Sequence, residues 1–376
     1  VNGVPWQFFA DTTTDRDPEA AIRTWRANGQ NMWRFWGRSF AGLTKQRALD
    51  LMDERGIVVR RSGIFDGQGA NYLAGLSDNP ALYENWVAQM QAWVREERNH
   101  PSILIWSMEN EITFINSRNL GQADAVEPEI AKAADALMAL DPTRPVMVDG
   151  GNCLKSNALP VNGVHYMESA WRSYPDEAYT LEQAYQAHVT NPGWNIWRLV
   201  PDKPIFMGES FYVRGSTPSA FAQFGGEGCF SGWGSDTRIG VGRLCKMLAE
   251  GYRWHGVAAT HFWMTSGETD LHYNSWRPVA VLCREWNWTF GSAHTVTRRL
   301  KVFNNTHLAG DIAVGWQLHV GGAKVAGEEK MVSLPAGGAQ ELSVQFTVPA
   351  TTSRTEGEFI LTCARDGNEV FREEIG

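Results

Sequence analysis

The stretch Asn99–Phe114, NHPSILIWSMENEITF, restricts the fold more than any other part of the chain. His100-Pro101 ends a preceding helix, because proline has no amide proton to donate and drives its predecessor out of the α region. Ile103, Leu104, Ile105 and Trp106 then form an apolar run, too short for a helix and suited to a strand buried on both faces. Ser107, Met108, Glu109, Asn110 and Glu111 follow at once. Two carboxylates and an amide are costly to hold at the end of a buried parallel strand. In a β/α barrel, that end is where the chemistry is done.

The pattern recurs. Lys203–Met207 is another short apolar run, and Gly208-Glu209-Ser210 lies directly past it. Asn31–Gly37, NMWRFWG, carries Arg34 inside a strand-like stretch. An arginine there needs an anionic partner, unless it stacks on aromatic rings at the rim. Further strands are expected at Val4–Ala10, Gly56–Ile64, Pro145–Asp149, Val164–Met167 and Gly256–Met264. Asp66 falls in the loop after the third strand, His165 and Tyr166 within the sixth, and Trp263 at the end of the eighth. Helical spacing covers Pro18–Asn28, Lys45–Arg55, Asn79–Asn99, Glu127–Leu140 and Gly240–Trp254, and Phe211–Ile239 reads as a long loop. Eight strand runs alternating with helices or long excursions predict the α/β class and a (β/α)8 TIM barrel over residues 1–292. From residue 293 to 376 no helical period remains. Short strand runs separated by Gly, Pro, Asn and Asp predict a small all-β, immunoglobulin-like sandwich.

Composition excludes some classes of function. A net charge of −8 argues against a nucleic-acid partner. No run of about 18 apolar residues predicts a membrane span. The 17 tryptophans exceed what a core alone needs, and flat aromatic faces can stack on sugar rings. Five cysteines lack metal-type spacing, and no cofactor or metal is expected. No signal peptide is expected at the start, and the chain reads as a mature or excised part of a longer protein.

Asn99-His100-Pro101-Ser102-Ile103, followed by Ile105-Trp106-Ser107 and Asn110-Glu111, closely resembles the catalytic barrel of glycoside hydrolase family 2. The resemblance implies a retaining β-glycoside hydrolase. Glu111 would be the general acid/base, Glu209 the nucleophile, and Asn110 the ligand of a sugar hydroxyl. Arg34 would bond the nucleophile, Tyr166 would touch it, and Trp263 would form a floor under the sugar. His165 and Asp66 are further candidates for contact with substrate. The family more often has glycine at position 109. It also implies β-sandwich domains before the barrel and a carbohydrate substrate. The location is left open, with secreted or periplasmic slightly favoured over cytoplasmic, and so is the oligomeric state. Two other readings stand beside this one: an endo-acting β-glycanase of the same clan, such as a mannanase or glucanase, and a carbohydrate-binding barrel without turnover. A metal-dependent barrel hydrolase would need more clustered ligands than His165 and His261 supply.

Overall fold

A computed structural model describes the chain except residues 1–2, 12–16, 38–39, 67–77, 114–116, 118–119, 151–157, 166–199, 201, 211–216 and 264–270. Eight parallel strands come first: β1 (Phe8–Asp11), β2 (Met32–Phe35), β3 (Val58–Asp66), β4 (Ile103–Asn110), β5 (Val146–Asp149), β6 (Asn162–His165), β7 (Ile205–Ser210) and β8 (Ala259–Phe262). The helices between them are α1 (Pro18–Ala27), α2 (Lys45–Arg55), α3 (Pro80–Glu97), α4 (Ala123–Leu140) and α5 (Ser235–Trp254). Local chemistry sets their limits. The Asp17 side chain accepts from the Glu19 amide at the start of α1, and Asn79 does the same for Ala81 at the start of α3. Proline follows each cap, where its missing N–H costs nothing. Gly56 ends α2 at φ 65°, in the left-handed region. Helix α5 starts five residues before the expected Gly240, and short helical turns occupy 218–231, so the described part of the Phe211–Ile239 stretch is folded.

The eight strands pair as two parallel sheets, in the orders β2-β3-β4-β5 and β1-β8-β7-β6. The expected closed barrel is therefore not a continuous ladder, being interrupted between β1 and β2 and between β5 and β6. At the first gap a single backbone bond, from Asn31 N to Phe9 O at 3.1 Å, is joined by side-chain bonds. The Asn31 amide oxygen accepts from Phe9 N at 2.8 Å and its Nδ2 donates to Gln7 O at 3.1 Å. An apolar layer of Phe8, Met32, Ile105, Met147, Phe206 and Ala259 draws on both sheets, so they share one interior. The helices cover the outside of each sheet with separate clusters, one around Trp25, Trp86 and Trp106, the other around Phe9, Met207 and Trp276.

One register slip falls early in β3, between Val59 and Arg60. Four others mark one end of this assembly, between Ser62 and Phe65, Ser107 and Asn110, Val164 and His165, and Met207 and Ser210. Such irregularities re-aim side chains, and here they lie at the carboxyl ends of β3, β4, β6 and β7.

Two antiparallel sheets follow, β13-β10-β9 and β12-β11-β14-β15. Their strands are β9 (Val279–Cys283), β10 (Thr295–Asn304), β11 (Gly310–Val320), β12 (Ala323–Leu334), β13 (Ala339–Thr347), β14 (Gly357–Arg365) and β15 (Asn368–Ile375). Val281, Leu300, Val314, Trp316, Phe346, Phe359 and Leu361 belong to one shared core. Strand β9 lies inside the segment read from sequence as barrel, yet it pairs antiparallel with β10. Its five residues are all buried and show no alternation. Among the described residues, no helix is long and apolar enough to cross a membrane.

The Asn31 bonds make the first gap between the sheets a measurable part of stability. Asn31→Ala is expected to lower the free energy of unfolding by about 1–3 kcal/mol, through the Phe9 amide left without its acceptor, whereas Gln7 O keeps Asn305 Nδ2 at 3.0 Å; urea denaturation checks this.

Candidate active site

Strand β3 carries Arg60 and Arg61 side by side, both fully buried. Successive residues in a strand point to opposite faces, and each arginine finds its own carboxylate. Arg61 turns outward to Glu97 on α3, at 2.5 and 3.0 Å. Arg60 turns inward: its Nη1 donates to Asp149 Oδ1 at 2.9 Å and to the Gly208 carbonyl at 2.8 Å. Its Nη2 lies 2.9 Å from His261 Nδ1. Asp149, the last residue of β5, thus sits at the centre of a buried polar cluster. Arg34 Nη2 reaches its Oδ2 at 3.0 Å, the Ser107 hydroxyl donates to the same oxygen at 3.2 Å, and His165 Nε2 lies 2.7 Å from Oδ1. Only glycine fits at 208, since a Cβ there would stand 1.9 Å from Asp149 Oδ1.

The two glutamates stand above this cluster. Arg34 Nη1 is bonded to Glu209 Oε1, and Nη2 donates to Asn110 Oδ1 at 2.7 Å. His165 Nδ1 lies 2.8 Å from Glu111 Oε1 and 3.8 Å from Glu209 Oε2. One atom from each of Glu111, His165 and Glu209 lies within 4.8 Å of the others. Glu111 is an L-residue in the left-handed region, at φ 56°. Its amide donates to the Asp149 carbonyl at 2.7 Å, which continues the β4–β5 pairing past the bulge. Gly150, at φ 86°, leaves the space beside His165 Nδ1 and Glu111 Cγ that a side chain would fill. Glu209 and Asn110 are 3% and 4% exposed, whereas Glu111 has no exposed surface.

Burial and charge divide the titrating groups. Burial opposes the charged form of Asp149, but Arg34, Arg60 and His165 outweigh it and hold the carboxyl far below its usual range. Burial likewise opposes charge on His165, yet Glu209, Asp149 and Glu111 raise its pKa to about 9. His261 behaves oppositely: burial, then the neighbouring Arg60 and Arg34, push it well below 6.5 and keep it neutral. Glu109, 1% exposed, is raised well above the usual carboxylate range, chiefly by burial.

Of the residues singled out from sequence, Arg34, Asn110, Glu111, His165 and Glu209 converge on this cluster. Trp263 adjoins it, half-buried, with its amide donating to Ser210 O and its ring 5.4 Å from the Arg34 guanidinium carbon. Trp36 lies closer to the same guanidinium, at 4.2 Å, so Arg34 is both ion-paired and stacked. The backbone of Asp66 pairs opposite Asn110 within β3, not in a loop, and its side chain lies outside the described residues, as does Tyr166. Sequence reasoning missed Asp149, Arg60 and His261. The available signal was the Arg60-Arg61 pair inside an apolar run, which demands two buried counter-charges. Glu111, His165 and Glu209 could offer a cation three ligand atoms, and both ring nitrogens of His165 are engaged, with Glu111 at 2.8 Å and Asp149 at 2.7 Å. Asp50, Asp53 and His100 form a second group, in which both ring nitrogens are engaged, with Asp53 at 2.6 Å and Gln46 at 2.8 Å.

A parallel β/α assembly with carboxylates and arginines gathered at the carboxyl ends of its strands defines a class of barrel protein. Residues 43–210 match the model of glycosyl hydrolases family 2, TIM barrel domain. Over that stretch the chain is similar to glycoside hydrolase family 2. It is 22% identical over 226 residues to a β-galactosidase of Vibrio vulnificus, covering 59% of this chain and 19% of that protein. It is 26% identical over 178 residues to a β-galactosidase of Yersinia pestis, covering 46% and 14%. Its fold is similar to a β-D-mannosidase from Dictyoglomus thermophilum, with a TM-score of 0.61 at 14% identity over 98% of this chain and 50% of that one. An exo-chitosanase of Amycolatopsis orientalis gives 0.56 at 13% identity, over 99% and 48%. The chain thus spans about half the length of these solved structures and less than a quarter of the curated relatives.

The opposed titrations of His165 and Asp149 give a pH signature. Protonated His165 stabilises the fold fully below pH 6.5, and that contribution is lost as the pH rises through about 9. Asp149, with its pKa depressed, contributes above its usual 3.8 and loses its effect only on strong acidification. The melting temperature is expected to fall between pH 6.5 and 9 in the native chain, and to fall less in His165→Gln; thermal unfolding across this range checks it.

Proposed function

We propose that the protein is a retaining β-glycoside hydrolase that cleaves O-glycosidic bonds by double displacement on two glutamates. The observation that carries this reading is the approach of Glu111 and Glu209, with carboxylate oxygens within 4.8 Å of each other at the ends of β4 and β7. Retaining enzymes hold their carboxyl groups roughly 5–5.5 Å apart, and inverting ones leave roughly 6.5–9.5 Å for a water. The match of residues 43–210 to the family 2 barrel model supports the same chemistry.

Glu209 attacks the anomeric carbon and forms a glycosyl-enzyme, while Glu111 protonates the departing oxygen. Glu111 then takes a proton from water, which attacks the same carbon and releases Glu209. Arg34 keeps Glu209 ionised and aligned through its direct bond. Asn110, whose carbonyl accepts from Arg34, binds the substrate 2-hydroxyl. Tyr166 orients Glu209, and Trp263 supplies an apolar face to the sugar ring. His165 holds Glu111 in the resting state, and substrate entry requires that this carboxyl be uncovered. Asp66 is a further contact with substrate. We assign the C-terminal sheets to an immunoglobulin-like sandwich and place the domain boundary near Pro278, ahead of β9, in place of residue 292.

The complete burial of Glu111 favours a second reading, a sugar-binding barrel without turnover. Kinetics on nitrophenyl β-glycosides, with polysaccharides included to reveal endo action, separates the two. Glu209→Ala and Glu111→Ala are each expected to lower kcat by about 10²–10⁴-fold. Azide should rescue both, giving the glycosyl azide of inverted configuration with Glu209→Ala and of retained configuration with Glu111→Ala. Full activity in either variant removes the assignment.

A further inference from the structure

Glu109 stands where the family more often has glycine, and no step above uses it. Its Oε2 accepts from the Ile112 amide at 2.6 Å, while Oε1 has no hydrogen-bond partner among the described residues. The bond from residue 109 to residue 112 spans the turn that contains Glu111. On the other side, the Glu111 amide is tied to the Asp149 carbonyl at 2.7 Å. The Glu111 backbone is therefore held from two directions in a left-handed conformation that is unfavourable for an L-residue.

We infer that Glu109 is a positioning residue for Glu111: its carboxyl closes the turn from 109 to 112, holds Glu111 at positive φ, and so fixes where the Glu111 carboxyl points. A glycine at 109 leaves the Ile112 amide without this acceptor. Burial, reinforced by Asp149 and Glu111 and opposed by the Ile112 amide and His165, raises the pKa of this carboxyl well above the usual range and so favours its uncharged form beside those two carboxyls. The inference rests on the proposed role of Glu111 as acid/base, and its consequence is selective. Displacing Glu111 slows departure of leaving groups that need a proton and spares those that do not.

Aryl β-glycosides with graded leaving groups test this. In Glu109→Ala, kcat/KM for a phenyl glycoside is expected to fall about 10²-fold, as for a misplacement of about 1 Å. For a 2,4-dinitrophenyl glycoside it should fall less than about threefold, because that leaving group departs without general acid help. Glu109→Gln, whose amide oxygen still accepts from Ile112, should restore the native dependence on leaving group. Glu109→Asp, which withdraws the carboxyl by one methylene, should behave like alanine and serves if the alanine variant does not fold. Equal losses on both substrates in the alanine or aspartate variant, or a glutamine variant as impaired as either on the phenyl glycoside, would overturn the inference while leaving the glycosidase reading intact. A native chain that hydrolyses none of these glycosides would overturn that reading itself.

Discussion

The carboxylate of Asp149 is the interaction on which the rest of the centre depends. It has no exposed surface, and it is met by cationic groups from β2, β3 and β6. An isolated charge at such depth would cost several kcal/mol. Here the neighbours repay that cost, and the repayment has a structural effect. Strands from both sheets must arrive in one register for Arg34, Arg60 and His165 to reach the same two oxygens. The ion cluster does across the interior what backbone pairing does not do across the two gaps.

The same cluster sorts its members by charge. His165 and His261 are both buried imidazoles within a short reach of Arg60 or Asp149, yet they lie on opposite sides of neutrality. His165 faces three carboxyl groups and His261 two guanidinium groups. Glu109 and Asp149 divide in the same way, the pKa of one raised by burial and that of the other lowered by arginine. Pairs of like groups driven apart by their surroundings are a recurring feature of catalytic centres.

Much of this was legible from one-dimensional pattern, and the limits were physical. Glu209 directly follows an apolar run, so that strand end was visible in the chain itself, whereas only the family motif singled out Glu111 from Glu109. Arg34 was legible because it interrupts an apolar run. Asp149 was not, because Asp149-Gly150-Gly151-Asn152 reads as an ordinary turn and its three partners come from distant strands. The bulges that turn Asn110 and Glu111 into the centre leave no mark in residue type. Tyr166 and the side chain of Asp66 lie outside the described residues, so the structure adds nothing to their sequence reading. In the C-terminal region, β12 and β15 were obscured by charge: AKVAGEEK and NEVFREEI are mostly exposed and lack the alternation that betrays a half-buried strand.

Strand β9 has a practical bearing on how the molecule can be divided. It follows the barrel in the chain but is held along one edge by β10, with Leu300 opposite Cys283 and Asn304 opposite Val279. A truncation at residue 292 would strip that edge bare and present VAVLC, five consecutive apolar residues, to solvent. Such a bare, uncharged edge invites pairing with any other chain. A soluble fragment of the first region would have to stop before it, and one of the second would have to begin with it.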